Sequence, residues 1–196
     1  SFEGARDPLR SSPAVENGTV YVGSDDNSLY AVSKDTGRSR WSFTTTGSVR
    51  SSPTVVDGTV YVGSDGGSVY AVGASNGNER WAFVADGAVS SSPTVADGTV
   101  YFGSEDGTLY AVSASDGNER WSTGIGSSVE SSPTVVGDTV YVGSNNGSLY
   151  AVGVSDGSEV WTFETGGAVR SSPTVVDGTV YVGDDSGNFY AISASE

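Results

Sequence analysis

A tryptophan, two tyrosines and a Ser-Ser-Pro tripeptide recur in this chain every 40 residues, without one insertion or deletion. Trp stands at 41, 81, 121 and 161; Tyr stands at 21, 61, 101, 141 and 181, and again at 30, 70, 110, 150 and 190. Ser-Ser-Pro begins at Ser11, Ser51, Ser91, Ser131 and Ser171. A fixed period of that length marks a repeat architecture, in which each unit buries its apolar face against its neighbours. The 28 glycines fall at set places in each repeat, so this Gly- and Ser-rich chain does not read as disordered. No linker interrupts the 196 residues, and one domain spanning 1–196 is expected.

Each repeat reads as four short strands. In the second, Ser52 to Val56 is followed by Asp57-Gly58, a dipeptide suited to the primed hairpin turns. Thr59 to Ser64 alternates Val60 and Val62 with Tyr61 and Gly63, the pattern of a half-buried strand. Asp65-Gly66-Gly67 turns the chain into Ser68 to Ala74, and Asn76-Gly77 separates that strand from Glu79 to Val84. The fourth repeat carries Gly137-Asp138 at its first turn, which fits type II′. No segment has a helical period. An all-β fold is predicted: a five-bladed β-propeller with four antiparallel strands per blade. Its blades span 11–46, 51–86, 91–126, 131–166 and 171–196. The last repeat stops after its third strand, so residues 1–6 are expected to complete it, closing the ring and removing exposed edges. Ser1 stands there where Trp would fall, with Phe2 one position out of register.

Composition narrows the function classes. The chain has no Cys and no His, which removes thiolate nucleophiles, disulfides, the usual general base and the commonest metal ligand. No apolar run approaches the length of a membrane helix, and neither a signal peptide nor membrane insertion is expected. Twenty-four acids against nine bases leave a net charge of −15, which disfavours nucleic acid and anionic lipid. Lys34 is the single lysine. An Asp-rich, lysine-poor surface spread over all five repeats resembles proteins of salt-loving archaea, where the Debye length falls to about 3 Å at 1 M salt.

The segment Ala111 to Trp121, AVSASDGNERW, resembles the tryptophan-docking motif of PQQ-like (quinoprotein-type) repeats. The first repeat is most similar to that pattern, with Ala31, Thr36-Gly37 and Trp41, while Asn76, Asp116 and Asp156 replace the Thr in later repeats. The resemblance covers residues 10–196. It implies that Trp41, Trp81, Trp121 and Trp161 each lie flat between blades, stacked on a Gly turn, with the indole N–H donating to a backbone carbonyl. Quinoprotein dehydrogenases of this kind are eight-bladed and hold their cofactor with calcium, acidic and amide ligands and a vicinal Cys pair. None of those residues can be placed here, so no cofactor, metal or catalytic residue is assigned, and a non-enzyme is expected. Non-enzymatic relatives include a bacterial outer-membrane assembly scaffold, which implies an extracytoplasmic location and a protein partner.

Three features compete as sites. The acidic turns Asp25-Asp26-Asn27, Glu105-Asp106-Gly107 and Asp184-Asp185-Ser186 are too short for a calcium loop and read as hairpin turns. A glycosidase needs paired carboxylates, yet every inner strand reads Ser-Ser-Pro without an acid. Just before that tripeptide stand Arg10, Arg50, Ser90, Glu130 and Arg170, grouped by the repeat at one channel mouth. They would either hold an anion or a partner's carboxylate, or neutralise neighbouring turn acids. A monomeric scaffold for protein interaction or ligand binding is expected. Alternatives are a small-ligand or sugar binder using the inter-blade pockets, and a non-functional fragment or engineered ring from a larger quinoprotein-like protein.

Overall fold

Period-2 alternation, Gly-bearing turns and the lack of helical spacing leave the chain one way to satisfy its backbone, which is as short antiparallel ladders. The computed structural model describes Phe2 and residues 4–195, and among these there are nineteen strands and no helix. They form five antiparallel sheets in chain order, four with four strands and the last with three. Blade 2 is typical, with strands Thr54–Val56, Thr59–Ser64, Ser68–Gly73 and Glu79–Val84.

The turns follow the chemistry of their residues. Asp57 and Gly58 both take positive φ, +48° and +68°, as a type I′ hairpin requires. In blade 4 Gly137 has positive φ and Asp138 does not, in keeping with type II′. The fourth strand carries a bulge, because Ala71 pairs with Trp81 while Val72 pairs with Glu79, leaving Arg80 unopposed. The Arg80 side chain turns back to donate to Thr59 Oγ1 (2.5 Å) and to the Gly58 carbonyl (3.0 Å).

The innermost strand is shorter than its sequence suggests. It begins at Thr54 and leaves Ser51 to Pro53 outside the ladder. Pro53 has no N–H to give, and hydroxyl groups carry the bonding between blades instead. The Ser52 N–H donates to Ser92 Oγ (2.9 Å), and Thr54 Oγ1 donates to the Pro93 carbonyl (2.6 Å). The same serine link joins Ser12 to Ser52, Ser92 to Ser132 and Ser132 to Ser172.

The core lies between blades. Tyr21, Leu29 and Ala31 of blade 1 pack on Val60, Val62 and Val72 of blade 2, with Val49 between them. The following pairs repeat this arrangement. Gly63 shows how close the approach is: a Cβ there would sit 2.6 Å from Val89 Cγ1, and one on Gly23 or Gly143 would sit 2.4 Å from Cγ1 of Val49 or Val169. The expected closing strand over 1–6 lies partly outside the described residues, at Ser1 and Glu3. Phe2 and Ala5 pack on Val22, Tyr30 and Val32 of blade 1, and the Phe2 and Tyr30 rings are 5.1 Å apart. The fifth sheet has three strands among the described residues, and its outer face is open: Phe189 is 74% exposed.

Candidate functional site

The four tryptophans join adjacent blades. The indole N–H of Trp41, Trp81, Trp121 and Trp161 donates to the carbonyls of Ala74, Ala114, Val154 and Ala194 at 2.9–3.3 Å. Trp41, Trp81 and Trp121 lie against Gly77, Gly117 and Gly157, whose φ values near +70° suit glycine. Each Trp also touches the Tyr at the start of its own blade, with Tyr21 and Trp41 centroids 5.7 Å apart. Trp81 and Trp121 are buried, and Trp41 and Trp161 are half-buried.

One rim of the array carries the charged residues singled out by the sequence. The loop preceding each Ser-Ser-Pro lies between the acidic turns of successive blades: the Asp65 N–H donates to the Ser48 carbonyl, and Ser48 Oγ donates to the Asp25 carbonyl. Arg50 spans two blades, with Nε 3.3 Å from Asp25 and Nη1 2.8 Å from Asp65. Arg10 joins Asp25 at 2.5 Å. Arg170 contacts Glu130 (3.3 Å) and pairs with Asp185. Glu130 also accepts from the Asn145 amide at 2.7 Å. Arg10, Arg50, Glu130 and Arg170 therefore sit in ion pairs or hydrogen bonds with neighbouring turns.

Their electrostatics are uneven along the rim. The Arg10 side chain, against the cost of desolvation and aided by Arg50, holds the Asp25 carboxyl below its ordinary range. Burial pushes Asp65 up despite Arg50. Its Oδ1 is buried without a hydrogen-bond partner. In blade 3 the arginine position holds Ser90, which donates to Glu105 Oε1 at 3.2 Å, and among the described residues no arginine pairs with Glu105. The rim thus alternates a bridged stretch over blades 1–2, an uncompensated acidic stretch at blade 3, and a bridged stretch over blades 4–5. The arrangement can bind charge. It holds no nucleophile–base pair, and no group of three or more acids is placed to ligate a metal among the described residues.

Asp184, read from the sequence as part of an acidic hairpin turn, differs from its counterparts in the other blades. The other four blades have Ser24, Ser64, Ser104 and Ser144 at this place, all fully buried, and the Ser24, Ser64 and Ser144 hydroxyls donate to nearby carbonyls. Burial works against the Asp184 charge, but donors from the Asn188 and Gly166 backbone, the Asn188 amide and Tyr190 outweigh it and set its pKa at about 2. The signal was present as Gly-Asp-Asp in one repeat where four read Gly-Ser followed by a polar residue.

A second feature lies on the opposite rim. Arg40 and Arg80 line a cleft of about 360 Å³ between blades 1 and 2, together with Glu16, Thr19, Tyr21 and Ser75. Neither arginine forms an ion pair among the described residues, and both are anchored to turn carbonyls, at Gly18 and Gly58.

A family model described as outer membrane protein assembly factor BamB matches residues 3–128 and 123–196. No curated protein sequence matches the chain. Among solved structures, BamB from Moraxella catarrhalis superposes with a TM-score of 0.84 at 20% identity, over 97% of this chain and 63% of that one. The computationally designed Ika8 protein gives 0.83 at 17% identity, over 98% of this chain and 60% of that one. Quinohemoprotein alcohol dehydrogenase ADHIIG from Pseudomonas putida HK5 gives 0.80 at 18% identity, over 99% of this chain and 41% of that one. At these identities the likeness is one of fold, and the chain spans less than two thirds of each of these proteins.

Proposed function

We propose a protein-binding role from a plain premise: the chain belongs to the PQQ-repeat family whose model is described as outer membrane protein assembly factor BamB. It acts as a non-catalytic scaffold that holds a partner on the rim bearing Arg10, Arg50, Glu130 and Arg170. The observation that supports this reading is the asymmetry of that rim. The blades are nearly identical elsewhere, and a fivefold surface cannot select one asymmetric partner. Here the arginine position changes from Arg to Ser to Glu to Arg, and the compensation of charge changes with it. Arg50 and Arg170 are about half exposed despite their ion pairs, so each guanidinium keeps donors for a partner's carboxylate. The uncompensated Glu105 would face a partner's basic group. The family suggests an extracytoplasmic setting, and the acidic surface suggests a salt-rich one.

A small anionic or sugar ligand in the Arg40–Arg80 cleft is a second reading, favoured by two arginines without ion pairs beside one cleft. The two readings separate in one experiment. A partner captured by the wild-type chain should lose at least about tenfold in affinity, some 1.4 kcal/mol, for the Arg50→Glu, Arg170→Glu double variant. Unchanged affinity there, with loss instead for Arg40→Glu, Arg80→Glu, would move the site to the opposite rim. Near-ultraviolet circular dichroism must stay unchanged in both variants.

A further inference from the structure

The cleft between blades 1 and 2 departs from the other blade interfaces at one position. The residue that ends the innermost strand is Val56, Ala96, Val136 and Val176 in blades 2 to 5, and Glu16 in blade 1. Val56 and Ala96 pack against the cores of the second and third interfaces. Glu16 takes that place at the first, where it lines the cleft of about 360 Å³ with Arg40, Arg80 and Ser75. The backbone is unchanged by the exchange: Glu16 pairs with Thr19 as Val56 pairs with Thr59. An acid has replaced an apolar side chain in a strand of the same geometry.

Three charges thus line one small cleft, and they do not neutralise one another. Among the described residues neither Arg40 nor Arg80 forms an ion pair with Glu16. The arginines are held from behind instead. Arg40 Nη2 donates to the Gly18 carbonyl at 3.3 Å, and Arg80 donates to the Gly58 carbonyl and to Thr59 Oγ1. A guanidinium has more N–H groups than these bonds use, so each keeps donors for a ligand. Their anchoring also fixes them before a ligand arrives, which lowers the ordering cost of binding. Opposite charges that share a cleft without meeting are complementary to a molecule carrying both charges. A simple anion would be repelled by Glu16, and a simple cation by the two arginines.

We infer that this cleft binds a small zwitterion of the amino-acid class, with its carboxylate on Arg40 and Arg80 and its ammonium on Glu16. Such a ligand has no net charge, so the −15 charge of the chain does not repel it. The volume lies at the lower end of the roughly 300–1,000 Å³ of small-molecule sites, which suits a molecule of few carbons. A zwitterion here rests on the cleft being a ligand site, the second reading above, and narrows its occupant from an anion or sugar to a molecule bearing both charges. It is independent of any partner on the charged rim. The second interface has Arg80 and Arg120 but Val56 at the place of Glu16, and should hold no ammonium.

Titration of the isotope-labelled chain, followed through the amide chemical shifts of Gly18, Gly58 and Ser75, tests this. The probes are glycine and γ-aminobutyrate, which carry the two charges one and three carbons apart, with acetate and methylammonium supplying each charge alone. At least one zwitterion should saturate the shifts at a concentration about tenfold or more below that of acetate or methylammonium. Glu16→Val installs the residue that blades 2, 4 and 5 already accept, so the fold should stand. It should weaken the zwitterion about tenfold or more while acetate binds no worse. Arg80→Gln should weaken zwitterion and acetate alike. Acetate binding as tightly as both zwitterions overturns the inference and leaves the cleft an anion site. Unchanged zwitterion binding in Glu16→Val also overturns it. No saturable shift with any probe overturns both the zwitterion and the cleft as a ligand site.

Discussion

The outward faces of blades 4 and 5 carry nearly the same sequence and live in different surroundings. Leu149 is fully buried and Phe189 is 74% exposed. A Cβ on Gly143 would lie 2.4 Å from Val169, whereas one on Gly183 would meet nothing nearer than 3.6 Å. Ser131 is fully buried and Ser171 is exposed. Burial in this molecule is therefore conferred by the neighbouring blade, since the strand that bears the side chain is the same. A repeat that cannot bury its own face is stabilised by nearest-neighbour contacts, and the last face in the array shows what one missing neighbour removes.

The sharpest way to break that comparison is to truncate the same position in both blades. Leu149→Ala should cost about 2–5 kcal/mol in urea unfolding, while Phe189→Ala should stay within about 0.5 kcal/mol, as exposed sites do. Equal losses would mean that the two faces are equally covered. Adding a methyl sharpens the same contrast from the other side. Gly143→Ala should destabilise by about 1–3 kcal/mol through overpacking, with Gly183→Ala close to neutral in the same assay.

Charge is spread over every blade, so salt should act on the whole array and leave the contrast between the faces intact. The melting temperature should climb as potassium chloride rises from low to molar concentration, by about 2–4 °C for each kcal/mol of repulsion relieved. A flat or falling trend would count against the salt-adapted reading. Acid should act most locally. Asp184 has a folded pKa of about 2, below the ordinary Asp value of about 3.9. A lowered carboxyl favours the folded chain above its unfolded pKa, and that contribution is lost as pH falls from about 4 to about 2. Asp184→Ser, the residue of the other four blades, should remove this part of the acid dependence. An unchanged acid profile would show that the Asn188, Gly166 and Tyr190 donors do not act on it.

Most of the fold was legible because the 40-residue period, the Asp-Gly and Asn-Gly turns and the Val/Tyr alternation agree with one another. Residue spacing put Arg10, Arg50 and Arg170 at one position of the repeat and the tryptophans at another. It did not reveal how each arginine would be spent. Whether Arg50 reaches Asp25, Asp65 or solvent depends on a distance of a few ångströms set by the loop 45–50, and periodicity carries no such information. Register sends residues 1–6 to the last sheet, and Phe2 packs on Tyr30 as Phe43 does on Tyr70, while Ser1 and Glu3 lie outside the described residues. The inner strand was read too long because Pro53 breaks the ladder while serine hydroxyls take over its bonds.

The account rests on one claim, that identical strands are protected by the blade beyond them. Residue-resolved hydrogen exchange at the lowest workable concentration tests it most directly. The second strands Thr19–Ser24, Thr59–Ser64, Thr99–Gly103 and Thr139–Ser144 should exchange slowly, and Thr179–Gly183, hydrogen-bonded on both sides like them but without a blade beyond it among the described residues, should exchange faster. Equal protection of all five strands in the dilute chain would contradict it.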